Sequence, residues 1–330
     1  MRFKISDVTL RDGSYVTNFN FNADLVKNIC KGLEDSGIDL IEIGHGYGLG
    51  GKRKFGGNLD DAEHIIAAKS VTRTAKIGVF FIPGIGTLED LKKAAELGID
   101  FVRIGTNINQ VDEAEPYLRL SKDLGISSTS FFMKSYALTP EKCNVPVKKA
   151  EKFGADKIMI VDSSGGMWPK LVIEYIKNAK ENTSLEIGFH GHNNLCLAAS
   201  NSLAALESGA TCIDTTLYGI GRSGGNTQTE VLLTILKKQG YDITANLKKL
   251  YDTANQYVQP IWNRGSDSLD IVMGSADFHS SFINVIEKYA SLYKIDKRDL
   301  IIEVTKLEKE NITEQIVENL AKEIIIKQQT

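Results

Sequence analysis

The stretch Leu185-Glu186-Ile187-Gly188-Phe189-His190-Gly191-His192-Asn193-Asn194 reads as the end of a strand running into a loop. A segment rich in Ala and Leu follows. Ser208-Gly209 closes it, and a second apolar run begins at Cys212. Glycine after a last helical turn supplies a left-handed cap, so the order is strand, helix, strand. Residues i and i+2 of a strand point to one face, so His190 and His192 aim together. Two imidazoles on one face can share a divalent ion, or can simply hydrogen-bond where they stand. A carboxylate aimed at the same point from elsewhere in the chain separates the two readings.

Working outward, the same unit recurs. Strands are expected over 5–10, 40–43, 77–82, 101–104, 126–133, 158–161, 185–189 and 212–216. Helical patterns such as 87–96 and 171–182 lie between them, and Ser36-Gly37, Leu97-Gly98, Leu124-Gly125 and Phe153-Gly154 repeat the glycine stop. Eight units in about 240 residues predict an α/β fold, a (β/α)8 TIM barrel, with a doubly wound sheet as the competitor. After Gln239-Gly240-Tyr241 the strands cease. Helical spacing is expected over 246–257 and over 276–293, a segment holding His279, and the charged tail 302–328 is amphipathic. The expected division is a barrel over 1–240 and a helical C-terminal extension over 241–330 that packs on the barrel or on a partner.

Composition narrows the function. A net charge of −3 gives no field to draw the chain onto nucleic acid or an anionic membrane. Cys30, Cys143, Cys196 and Cys212 are widely spaced with no C-x-x-C, which argues against a disulfide framework and fits a reducing compartment. The opening MRFKISDVTLRDG has no apolar core, and no segment is long and apolar enough to span a bilayer, so the expected location is cytoplasmic.

In a barrel the chemistry gathers at the C-terminal ends of the strands. There the chain places Arg11-Asp12-Gly13-Ser14-Tyr15, Gly44-His45-Gly46, Arg103, Asp162-Ser163-Ser164, the histidine pair, and Gly219-Ile220-Gly221-Arg222-Ser223-Gly224-Gly225-Asn226. The glycine runs at 44–51 and 219–225 lack the phosphate-loop signature and read as loops that approach a ligand or a neighbouring loop closely. His45 reads as a ligand, a base or a satisfied loop histidine, and His64, within an expected helix over 61–70, as structural or surface.

Asp7-Val8-Thr9-Leu10-Arg11-Asp12-Gly13, the His190/His192 pair, Ile41-Glu42-Ile43-Gly44-His45-Gly46, Val161-Asp162-Ser163 and Gly225-Asn226-Thr227 together resemble the metal-dependent pyruvate aldolase and acyl-CoA lyase barrel superfamily. The likeness is strongest to its 4-hydroxy-2-oxovalerate aldolase branch and runs through Ser280-Ser281-Phe282, covering the whole chain. The resemblance implies that Asp12, His190 and His192 bind Mn2+ or Mg2+, with Asn226 matching a further ligand of the acyl-CoA lyases. It places Arg11 over the substrate's keto oxygen and Ser163 at its carboxylate. The implied reaction is cleavage of a 4-hydroxy-2-oxo acid to pyruvate and an aldehyde, or the reverse. A metal would polarise the developing enolate, and a permanently cationic Arg would donate to its oxygen.

Arg11 has a second reading, a strand-end arginine pairing Asp12 or Glu42. Neighbouring residues on a regular strand face opposite ways, so the site requires a bend, expected at Gly13. The chain also departs from the family. The aldolases carry a histidine base where this sequence has Tyr15, and a tyrosine where it has His279. The reciprocal exchange points to His279 as base with Tyr15 as its partner; the alternative is that His279 packs between barrel and extension. The core motif does not separate the aldolases from Claisen-type condensing enzymes resembling isopropylmalate synthase, or from acyl-CoA lyases, which join or split acyl-CoA substrates. The resemblance further implies a partner, an acylating aldehyde dehydrogenase docked at 294–328, unless those helices serve a homo-oligomer.

Overall fold

In the computed structural model, which describes residues 3–262 and 268–329, eight parallel strands close a barrel in chain order. They are β1 (Lys4–Asp7), β2 (Leu40–Ile43), β3 (Lys76–Phe81), β4 (Phe101–Asn107), β5 (Ser127–Met133), β6 (Lys157–Asp162), β7 (Glu186–Gly191) and β8 (Cys212–Thr215). β1 pairs β8 from Lys4 opposite Cys212 to Asp7 opposite Thr215, which closes the ring and excludes the doubly wound alternative.

Strand parity sorts the core. Ile41, Ile43, Ile77, Val79, Val102, Ile104, Ile158, Ile160, Ile187 and Ile213 belong to the large cluster shared with the helices. The alternate residues Leu40, Phe80, Phe101, Phe131, Met159, Val161 and Cys212 form a separate cluster, as expected of the side chains that fill a barrel interior in layers. Glu42, Arg103, His190 and Asp214 share the parity of this second set, so their charges lie inside the barrel.

The helical stops behave as expected. Gly37, Gly98, Gly125, Gly154 and Gly209 all have positive φ, between 69° and 101°, a conformation that costs glycine no steric strain. Helix starts are capped by polar side chains: Asn22 accepts from Leu25 N–H, and Asp60/Glu63 and Thr87/Asp90 form capping boxes.

Two expectations change. β1 stops at Asp7, not at residue 10, because Asp7 Oδ1 accepts the Thr9 N–H at 2.9 Å and the chain enters a helical turn, Thr9–Asp12. The segment 276–293 is not one helix. Helix Ser268–Ser275 ends first, His279 caps a short 3-10 turn (Ser280–Phe282), and a new helix runs Ile283–Tyr293.

Beyond the barrel, Leu250, Ala254, Val258 and Trp262 pack into the large cluster. Met273, Phe278, Ile286, Ile301, Val304, Val317 and Ala321 form a cluster of their own within the last helices. No helix among the described residues is long and apolar enough to cross a membrane.

Candidate metal centre and pocket

Asp12, His190 and His192 each offer one ligand atom within 4.8 Å of the others, all buried. The early helical turn after β1, rather than a bend at Gly13, brings the adjacent residues Arg11 and Asp12 to this point. His192 lies one residue past β7, yet the Nε2 atoms of the two histidines stand 3.4 Å apart.

Their partners settle which nitrogen carries hydrogen. His192 Nδ1 faces the Gly225 carbonyl at 3.1 Å and His190 Nδ1 faces Asp214 Oδ2 at 3.0 Å, so both Nδ1 atoms donate. In the neutral rings both Nε2 atoms then present lone pairs to each other. Burial pushes the His192 imidazole down to about 3, against the pull of Asp12, so that ring is neutral near pH 7. Burial also opposes charge on Asp12, but Arg11 and the two imidazoles outweigh it and hold the carboxyl well below the usual range. Two facing lone pairs beside a carboxylate repel one another unless a cation lies among them, so these residues fit a divalent ion.

Asn226 Nδ2 donates to Asp12 Oδ2 at 2.6 Å and to the Ile220 carbonyl at 3.0 Å, leaving its buried Oδ1 without a partner. Gly221 permits this closeness, because a Cβ there would lie 2.0 Å from Asn226 Nδ2 and 2.6 Å from Asp12 Oδ2.

Both pairings weighed for Arg11 occur together. Nε donates to Glu42 Oε1 and Nη1 to Asp12 Oδ1 at 2.6 Å. Nη2 is buried with no partner, and Arg11 lines a cavity of about 190 Å³ together with Asp12, His190 and His192. The charge chain continues inward: Arg103 Nε lies 3.3 Å from Glu42 Oε2, and its Nη1 donates to Asp214 Oδ2 at 2.6 Å. Asp214 Oδ2 also accepts from His190. Opposite charges thus alternate from Asp12 through Arg11, Glu42 and Arg103 to Asp214, which accepts from His190, across the barrel interior.

The cavity is also lined by Tyr15, Lys134, Ser163, Arg222 and His279. Ser163 Oγ accepts the Lys134 N–H at 2.9 Å. Arg222 Nη2 donates to His279 Nε2 at 2.8 Å, while His279 Nδ1 lies 2.7 Å from Ser281 Oγ and 3.2 Å from the Ser281 N–H that it caps. Burial, with Arg222 and Lys134 adding to it, lowers the His279 pKa well below the ordinary imidazole value. Burial likewise lowers the Lys134 amine to about 8 and raises the Tyr15 phenol.

His45 is not brought to the cavity. Its Nδ1 accepts the Tyr47 N–H, its Nε2 donates to the Gly56 carbonyl, and its ring stacks on Phe19 at 3.9 Å. Burial lowers its pKa to about 4, as for a satisfied loop histidine. His64 is likewise held locally, Nδ1 against the Asp60 carbonyl. Arg222 and Lys134 were not singled out from the sequence. Arg222 lies in a glycine-rich loop with no periodicity, and the available signal was a lone cation among glycines at the end of β8.

Comparison with known proteins follows the same lines. A family model described as HMGL-like matches residues 2–257. A 4-hydroxy-2-oxovalerate aldolase from Carboxydothermus hydrogenoformans is 37% identical over 98% of this chain and 97% of its own. One from Bacillus cereus is 36% identical over 97% and 95%. Among solved structures, the N-terminal domain of a protein assigned as an aldolase from Bacteroides vulgatus aligns with a TM-score of 0.71 at 26% identity, covering 85% of this chain and 95% of that one. The carboxyl transferase domain of Rhizobium etli pyruvate carboxylase aligns with a TM-score of 0.78 over 99% of this chain and 61% of that one; at 15% identity this likeness concerns the fold alone.

Proposed function

The chain belongs to the HMGL-like family, and from that premise we propose that it is a metal-dependent aldolase that breaks and forms the C3–C4 bond of a 4-hydroxy-2-oxo acid, yielding pyruvate and an aldehyde. The observation that carries this reading is the set of Asp12, His190 and His192 beside the unpartnered Arg11 Nη2. A divalent ion, Mn2+ or Mg2+, held by those three residues with the Asn226 carbonyl as a further donor, would supply Lewis acidity for an enolate.

The chain's own residues do the rest. Arg11, fixed by Glu42 and Asp12, aims its free nitrogen at the keto oxygen and gains most where negative charge develops. The Ser163 hydroxyl holds the carboxylate. His279 is neutral near pH 7 and takes the proton of the 4-hydroxyl, with Tyr15 as its partner; Arg222 must first leave Nε2. As C3–C4 breaks, its electron pair passes to C3 of the pyruvate enolate and the aldehyde carbonyl forms.

We assign the metal and enolate chemistry to residues 1–240, and to 241–330 a covering role that also brings His279 to the pocket. Exposed Leu292, Leu307 and Ile326 on the extension favour docking of a partner that consumes the aldehyde, an acylating aldehyde dehydrogenase, or of a second copy of this chain. The buried, unbridged Cys30, Cys143 and Cys212 fit a reducing cytoplasm.

The test is incubation of the purified protein with Mn2+, pyruvate and a panel of aldehydes, with products read by mass spectrometry. New 4-hydroxy-2-oxo acids are the expected result. Release of free thiol from acetyl-CoA and a 2-oxo acid, without any aldol product, would replace the aldolase reading with the Claisen one.

A further inference from the structure

The aldolase reading leaves one cation of the pocket wall without a task. Arg11 and Arg103 face Asp12, Glu42 and Asp214, and a divalent ion with a pyruvate carboxylate brings this inner group close to neutrality. Lys134 has company too: Nζ donates to the Glu310 carbonyl at 2.8 Å, and the Glu310 and Glu308 side chains lie within electrostatic reach.

Arg222 is different, although Asp12 lies within its electrostatic reach. Its guanidinium lends one hydrogen bond to a neutral imidazole and lies 5.3 Å from the centre of the Tyr15 ring, while its Nε is buried with no partner. A planar, permanently charged fork is built for an oxyanion, and an imidazole lone pair uses little of it.

The position says which part of the substrate supplies that oxyanion. Arg222 touches His279, and His279 and Tyr15 attend the hydroxyl that comes from the aldehyde. The pyruvate carboxylate already has Ser163. We propose that the aldehyde partner carries an anionic group of its own, a carboxylate or a phosphate, held by Arg222 with Lys134 behind it; the acid cleaved is then doubly anionic.

The inference rests on the aldolase reading and adds no redox step. Pyruvate loses one methyl proton to solvent as the enolate forms, its methyl carbon then joins the aldehyde carbon, the aldehyde oxygen takes the proton carried by His279, which is replaced from solvent, and the remote anion is unchanged. As Arg222 turns to that anion it uncovers His279 Nε2, so an anionic aldehyde also releases the base.

The experiment compares matched aldehydes in the presence of Mn2+ and pyruvate: succinic semialdehyde against butanal, and glyceraldehyde 3-phosphate against glyceraldehyde. The kcat/KM for the charged member of one pair is expected to exceed the neutral one by about 10²-fold, as for a desolvated charge pair. Arg222→Gln should cut that ratio at least about tenfold and Arg222→Lys should keep part of it. The winning pair tells carboxylate from phosphate. Ratios near one in both pairs, or ratios that Arg222→Gln leaves in place, overturn the inference. Deuterium exchange into the pyruvate methyl group, measured without aldehyde, keeps the two levels apart. Exchange with no charge preference sinks only the anionic aldehyde; no exchange in the wild-type protein sinks the aldolase reading, and this inference with it.

Discussion

The two walls of the pocket are built on different principles. On the wall formed by the ends of β1 and β7, every functional side chain is held by at least one partner, and the charges run in an unbroken alternating chain into the barrel. On the wall beneath the extension, Lys134, Arg222 and His279 hang on long side chains or a capping turn, and they are held by the Glu310 carbonyl, Ser281 and one another. Fixed groups stabilise a transition state without reorganising, whereas the second set can rearrange around what enters. The first wall is suited to the common half of the reaction, the enolate, and the second to the variable half, the aldehyde.

The comparison breaks most severely at the metal ligands. Asp12→Ala, His190→Ala and His192→Ala are each expected to abolish turnover and lower bound divalent metal, measured by elemental analysis, in a protein whose circular dichroism stays that of the wild type. Near-normal turnover in any one removes that residue from the ligand set.

Next comes the barrel interior. Arg103→Met would leave Glu42 and Asp214 as buried carboxylates without their shared partner, a loss of about 3–5 kcal/mol in stability, read by chemical denaturation. A much smaller loss would mean that the chain is not electrostatically continuous.

His279→Ala is expected to slow aldol cleavage by about 10²–10⁴-fold while pyruvate enolisation persists, because the two steps use different walls. The sign of the pH effect follows from its depressed pKa. The ring is neutral and able to accept a proton at pH 7. Falling pH protonates it and removes the base, so the acidic limb of the cleavage profile lies below the ordinary imidazole value of about 6.5 and disappears in the variant. Full cleavage activity with an unchanged limb would make His279 a packing residue.

Arg11→Lys keeps the charge but loses the fork that serves Glu42, Asp12 and the substrate at once. A fall of about 10²-fold in kcat is expected, and a change confined to KM would mean that Arg11 binds the ground state only. Lys134→Met should have the smallest effect, roughly a few-fold rise in KM for the aldehyde, because this amine already has the Glu310 carbonyl and nearby carboxylates.

The barrel was legible because most βα units are punctuated locally. At Gly37, Gly98, Gly125, Gly154 and Gly209 a glycine with positive φ stops the helix, and an apolar run of alternating destination begins the next strand. The cluster of Asp12, His190 and His192 was legible because His-x-His on a strand and Arg-Asp at a strand end need only local geometry to be interpreted. What escaped depends on contacts remote in sequence or on side-chain competition. β1 ended early because the Asp7 carboxylate took a backbone N–H that the strand pattern assigns to a ladder. His279 was placed within a helix because apolar spacing carries through 276–293, and only its role as a cap on the next turn sets it apart. Arg222 acquires its meaning from His279, a residue that no local pattern connects to it.

The charge chain inside the barrel also bears on how such a protein can change over generations. Removing one member exposes its neighbours to the full cost of an unpaired buried charge, whereas replacing the whole set by apolar side chains of similar volume is far cheaper. Asp12, Arg11, Glu42, Arg103, Asp214 and His190 therefore form a block from which single steps pass through broken intermediates. A lineage can thus acquire new aldehydes one substitution at a time while its enolate chemistry stands still.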